Sequence, residues 1–269
     1  MGRLHLIPDP ARLEESRAIA DRYHACFEYN DFYVPDLLDD SDALRERIRR
    51  YLSLDRDRSA DTLHGAFFDV TVHSEDPLIR GVSERRVYQS MNIAKRLGVR
   101  GVVFHTGTIP TFFSSAYEEN WLRANRAFWL TVCERYPKIE VLMENMFDSR
   151  PDLLSALARE LRQVPNFGVC LDYSHAGIFG KDPPAWVRSL APYIRHLHIN
   201  DHDGKADLHE AVGGGVTDWS LFDRTIREEK INPSVLIETK SLEKWERSAQ
   251  YMQKSGWFPF AGNGGTPPC

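Results

Sequence analysis

The stretch CLDYSHAG, Cys170 to Gly177, follows an apolar run and sets Asp172 and His175 three positions apart. A carboxylate and an imidazole at one strand end offer an oxygen and a nitrogen donor, groups that hold a divalent ion or pass a proton. The pattern recurs. Glu144 closes IEVLMEN, Glu238 lies near the end of SVLIETK, His198 is in HLHIND, His105 in RGVVFHTG and His64 in TLHGAFFDV. Farther on, NDHDGKADLHEAVGGGVTDW spaces Asp207 and His209 at i, i+2 ahead of Gly213, Gly214 and Gly215. Mixed carboxylate and imidazole donors suit Zn, Mn, Fe or Co, whereas Ca prefers an all-oxygen shell.

Positioning such groups requires strands that end at one place. Short β-branched or aromatic runs alternate along the chain with longer segments of helical period, the order of repeated βα units in a parallel sheet. RLHLIP, HACFEY and FGVCLDY join the five runs above to make eight strand candidates, with EENWLRANRAFWLTVCERY and RPDLLSALARELRQV among the helices. The chain has 269 residues, close to the roughly 250 of a (β/α)8 barrel. No composition break interrupts residues 1–257, which predicts an α/β TIM barrel in a single domain. The segment 258–269, FPFAGNGGTPPC, is rich in Gly and Pro and is expected to be a flexible tail.

Strand parity then sorts the polar residues. Ile139, Val141 and Met143 form an outward face in IEVLMEN, leaving Glu140, Leu142 and Glu144 inward. The same count turns Asp172, His198 and Glu238 inward, and with them His105 and His64. A single inward His or Glu reads more readily as a hydrogen-bonded filler of the barrel. Six from six strands would be costly as bare charges, and a divalent metal removes that cost. Alone, the Asp207/His209 pair reads as a solvated loop, with the glycines serving turns. The glycine run leads into TDWSLFDRTI, where Thr217 or Asp218 can cap a helix whose free N–H groups would hold a phosphate.

Composition narrows the partners. A formal charge of −5 with 27% charged and 42% hydrophobic residues shows no basic excess of the kind that marks nucleic-acid binding. No apolar run is long enough to span a bilayer and MGRLHLIPDP lacks a signal-peptide pattern, so a cytoplasmic protein with no membrane association is the expectation. Cys26, Cys133, Cys170 and Cys269 are scattered and read as free thiols.

The motifs HGAFF, FHTG, MENMF, GVCLDYSHA, HLHINDHDG, DLHEAVGGGVTDW and IETK resemble the xylose-isomerase-like TIM-barrel superfamily. That superfamily includes sugar phosphate isomerase/epimerase proteins, D-tagatose epimerase and endonuclease IV. In the isomerase branch one divalent metal is held by Glu, Asp, His and Glu, which fall here on Glu144, Asp172, His198 and Glu238, with His175 on the substrate side. In the nuclease branch the resemblance adds His64, His105, His175, Asp207 and His209 as further ligands of a trinuclear zinc cluster. Two departures stand out. The loop after His198 reads Gly204, Lys205, Ala206, Asp207 where the epimerases commonly place an arginine. HLIPDPARLEESR lacks the small, Gly-rich DNA-facing turn of the nucleases.

The resemblance implies a divalent-metal-dependent isomerase or epimerase of carbohydrate metabolism, acting on a small sugar or sugar phosphate through an enediolate. Glu144 and Glu238 would serve as base and acid, and His175 would polarise a substrate oxygen. The alternative it carries is a multinuclear-zinc phosphodiesterase related to endonuclease IV (an AP endonuclease). A non-catalytic binding barrel would need broken ligand positions, and none is broken. No nucleic-acid partner is expected, and a homo-oligomer is compatible with this reading.

Overall fold

The computed structural model describes residues 3–67, 69–239 and 241–260. The first half of the chain runs β1 (Leu4–Leu6), α1 (Leu13–Tyr23), β2 (Cys26–Tyr29), α2 (Pro35–Asp39), α3 (Ser41–Leu52), β3 (Thr62–His64), α4 (Pro77–Leu97), β4 (Gly101–His105) and α5 (Ser115–Arg135). The second runs β5 (Glu140–Glu144), α6 (Asp152–Glu160), β6 (Phe167–Asp172), α7 (Tyr173–Ile178), α8 (Pro183–Leu190), β7 (Ile194–Ile199), α9 (Trp219–Glu228), β8 (Ser234–Ile237) and α10 (Leu242–Ser255). All eight strands pair in parallel with their sequence neighbours, and β1 pairs β8, which closes the barrel expected from the sequence.

The outward residues read from parity lie in the main core between barrel and helices, including Val141, Met143, Val169, Leu171, Leu197, Ile199, Val235 and Ile237. Inside the barrel the contents divide. Val103, Leu142 and Cys170, from β4 to β6, form a small separate apolar cluster. From β1, β2, β3, β7 and β8 the buried residues His5, Glu28, Thr62, His196 and Ser234 are polar. Buried polar groups persist only when partnered, and most of these are, as described below.

A register shift between Val169 and Cys170 decides what β7 presents. Val169 pairs with Ile194 but Cys170 pairs with His196, so Arg195 is the extra residue of a bulge. Continuous pairing would have set Asp172 against the outward Leu197. With the bulge it lies beside His198.

Helix α6 stops at Glu160, earlier than its periodicity suggests, because Arg162 and Val164 donate their N–H groups to Arg159 and Leu161 in tighter turns. Packing also continues past residue 257, correcting part of the expected tail. Phe258 is buried, its N–H donates to Asp223 Oδ1 at 2.7 Å, and Phe260 packs against the core. These aromatic rings gain more from burial than the Gly/Pro composition suggested. The rest of that segment, 261–269, lies outside the described residues. Cys26, Cys133 and Cys170 are free thiols, and Cys269 falls in the same undescribed segment. No helix among the described residues is long and apolar enough to cross a membrane.

Candidate metal centre

Four strand ends converge at the C-terminal face. Glu144 ends β5, Asp172 ends β6, His198 is next to last in β7 and Glu238 directly follows β8. The donor atoms of these four buried residues all lie within 4.8 Å of one another. His198 Nδ1 is 3.2 Å from Glu144 Oε1 and 3.5 Å from Glu238 Oε2. Local backbone contacts fix each carrier. Glu238 donates its N–H to Ile199 O, and Glu144 O accepts from Thr106 N.

The Asp172/His175 spacing is that of a helix cap. Asp172 Oδ1 accepts the His175 N–H at 2.7 Å at the start of α7, so the two residues are N-cap and third helical position. That bond uses one carboxylate oxygen and leaves Oδ2 without a hydrogen-bond partner. Glu144 Oε2, His198 Nδ1 and Glu238 Oε2 are likewise buried and unpartnered. Asp172 Oδ2, His198 Nδ1 and Glu238 Oε2, together with Glu144 Oε1 on the His198 side, offer three carboxylate oxygens and one imidazole nitrogen, a set that fits a divalent ion of the Zn, Mn, Fe or Co type, while Glu144 Oε2 faces His64 and His105.

Glu144 also belongs to a second group, with His64 and His105. Its Oε2 lies 3.5 Å from His64 Nε2 and 3.2 Å from His105 Nε2. His64 Nδ1 donates to Gly65 O at 3.0 Å, which leaves Nε2 as the lone-pair nitrogen. His175 and His209 are held the same way, each donating Nδ1–H to a backbone carbonyl, of Asn145 and Glu238 respectively, at 3.0 Å. Their Nε2 atoms approach Asp207 Oδ2 at 3.4 and 2.8 Å. Among the described residues, His175, Asp207 and His209 meet through Asp207 and do not form a compact three-donor group like the other two. All nine residues singled out in the sequence thus lie at one barrel end, six of them within the two ligand groups.

Burial pushes the Asp172 carboxyl up to about 7, helped by Glu238 and Glu144 and opposed by His175. Burial would raise Glu144 as well, but His198 and His105 hold it well below the usual carboxylate range. His198 and His175 are raised well above the ordinary imidazole value despite their burial, and His209 is raised to about 9 beside Asp207 and Glu238. The protonated imidazoles supply the positive charge that a bound cation would otherwise bring.

A model of the xylose isomerase-like TIM barrel family matches residues 18–255. The chain belongs to that family. A curated relative, the uncharacterised protein MJ1614 of Methanocaldococcus jannaschii, is 25% identical over 185 residues, 67% of this chain and 70% of that one. The TTHB071 protein of Thermus thermophilus, solved after soaking with ZnCl2, is 25% identical with a TM-score of 0.69, covering 99% of this chain and 100% of that one. A D-tagatose 3-epimerase-like protein superposes with a TM-score of 0.72 at 20% identity, over 93% of this chain and 96% of that one.

Within this xylose isomerase-like barrel, several supporting residues escaped the sequence reading. The Asn145 side chain donates to Asp172 O and accepts from Asp172 N, both at 2.9 Å, tying the end of β5 to that of β6. Ser174 Oγ donates to Asn200 O at 2.6 Å and joins α7 to the end of β7. His5, Glu28 and His196 lie beneath the centre. Parity carried into HACFEY and RLHLIP would have found Glu28, between outward Phe27 and Tyr29, and His5, between Leu4 and Leu6. Phe67 packs on the rings of His64 and His105, with centroids 4.9 and 5.0 Å away. A shallow cleft lined by Phe112, Phe113, Tyr117 and Arg150 contains none of the nine residues. Converging orphaned donors are the stronger mark of chemistry.

The loop after β7 is built around Asp201, which accepts from one glycine N–H and from groups on either side of it. Asp201 Oδ2 accepts from Gly213 N and Trp219 Nε1 at 2.9 Å, and Oδ1 from Thr217 N at 3.1 Å and His202 N at 3.0 Å. Asp218 caps α9 by accepting from Leu221 N. A Cβ on Gly215 would sit 2.2 Å from His202 O and 2.5 Å from Asp201 Oδ1, so this turn requires glycine. Asp201→Ala is expected to destabilise the protein by on the order of 3 kcal/mol, since several charge-assisted bonds lose their acceptor together. Thermal melting of the variant checks this, and an unchanged melting temperature would contradict it.

Proposed function

We propose that this protein is a divalent-metal-dependent isomerase or epimerase of a small sugar. The observation that carries the reading is the four-residue group itself, with Glu144 and Glu238 arriving from β5 and β8 on either side of His198 Nδ1. An ion bound by Glu144, Asp172, His198 and Glu238 supplies Lewis acidity toward adjacent carbonyl and hydroxyl oxygens of the substrate. Glu144 and Glu238 then stand as the pair that removes a proton from the carbon beside the carbonyl and returns it, giving an enediolate between the two steps. His175, with Nδ1–H fixed on Asn145 O, directs Nε2 toward the mouth side, where Asp207 also lies, and is suited to hold a substrate oxygen. The structural neighbours that carry epimerase names support a sugar as the substrate class. The test is incubation of metal-loaded protein with ketoses in deuterated water. Deuterium should enter the carbon next to the carbonyl, and a ketose that binds without exchanging would count against the reading.

One observation favours a second reading, phosphodiester hydrolysis by two or three zinc ions. His64 and His105 share Glu144 with the first group, and His175 and His209 converge on Asp207. Asp207→Ala separates the two. In the isomerase reading it weakens turnover and leaves metal content unchanged. Loss of a whole metal equivalent per chain, together with chelator-sensitive incision of abasic-site DNA, would establish the zinc phosphodiesterase instead.

A further inference from the structure

Glu28 sits on β2, two strands away from the nearest member of the four-residue group around the barrel, and is fully buried. Its Oε2 accepts the Thr62 hydroxyl at 2.6 Å and lies 3.0 Å from His196 Nε2. Its Oε1 lies 3.0 Å from His198 Nε2, and neither of those two atoms has another hydrogen-bond partner. Every neighbour of this carboxylate is therefore a donor, which assigns the proton on both imidazoles to Nε2. His196 is complete in that state, because its Nδ1 lies 2.6 Å from the Ser234 hydroxyl and can accept from it. His198 is not. With Nε2–H on Glu28, Nδ1 is the nitrogen left for an ion, and it faces Glu144 and Glu238 without a hydrogen-bond partner.

We propose that Glu28 is a positioning residue for the metal centre, holding His198 in the tautomer and ring orientation that present Nδ1 to the ion. The inference rests on the metal reading above and extends it to a residue on another strand. An imidazole ligates only through a lone pair, and a carboxylate on its opposite nitrogen fixes which lone pair is available and makes the ligand more basic. Thr62 fixes the carboxylate in turn. The same network accounts for Cys170, His196 and His198 lying within donor distance of one another. Both nitrogens of His196 are already engaged, so these three need no ion of their own.

The test is cobalt(II) binding to metal-stripped full-length protein, followed by competition with a chromophoric chelator and by the visible spectrum of the bound ion. Glu28→Gln keeps the side-chain volume and removes the charge. It should weaken cobalt binding by about 10- to 100-fold and alter the spectrum, with little change in the melting temperature of the stripped protein. Thr62→Val, which leaves the carboxylate but frees it to rotate, should weaken binding by about threefold or more. If wild type binds cobalt and Glu28→Gln binds it within about twofold with the same spectrum, the positioning role is wrong while the metal reading stands. If Glu28→Gln does not fold, unchanged affinity and spectrum in Thr62→Val decide against the role. Wild-type protein that takes up no cobalt would overturn the metal reading, and this inference with it.

Discussion

Glu238→Gln is expected to fold normally and to lose sugar-dependent proton transfer by about 10²- to 10⁴-fold, the usual contribution of a general acid–base group. The amide keeps the shape and can still accept through its oxygen, but it cannot take up a proton. The Glu238 N–H bond to Ile199 O comes from the backbone and is untouched by the change, so the loop after β8 stays in place. Deuterium exchange between solvent and substrate isolates the step, because it reads proton removal alone. Exchange at the wild-type rate would refute the role of Glu238 and leave the metal site intact.

Glu144→Ala is expected to have the larger effect on metal. Glu144 is the one residue common to both ligand groups, its two oxygens facing His198 on one side and His64 and His105 on the other. Its removal should lower metal affinity by more than the roughly 10- to 100-fold that outer-shell changes cost, and turnover should fall to background. It also leaves the buried imidazoles of His64 and His105 without their carboxylate, so some stability is lost as well. Glu144→Gln, which keeps the volume, provides the comparison if the alanine variant unfolds. Metal retained at the wild-type level in either folded variant would remove Glu144 from the ligand set.

The barrel and the convergence of polar residues at its mouth were legible for one reason. In a closed parallel barrel, position along a strand fixes both the direction of a side chain and its height, so apolar alternation in IEVLMEN, FGVCLDY, HLHIND and SVLIETK located four donors without coordinates. The same rule, carried into the shorter runs around Leu4–Leu6 and Cys26–Tyr29, would have found His5 and Glu28. Other features depend on chain segments meeting in space. The bulge at Arg195 exists only relative to β6. Asp201 pairs with Glu210 across a fold-back, which brings its carboxylate onto the N–H groups of Gly213 and Thr217, far along the chain. Phe258 reads as tail by composition, and only its contact with the core and Asp223 places it in the barrel.

The central claim is that Glu144, Asp172, His198 and Glu238 hold a divalent ion, and it is tested most directly by counting metal per chain in protein that has been stripped with chelator, reconstituted with Zn, Mn, Fe or Co and freed of excess ion. The account predicts at least one tightly held equivalent in wild type, and its loss in Glu144→Ala. Wild-type protein that is folded and holds no stoichiometric metal after reconstitution with each of these ions would contradict it.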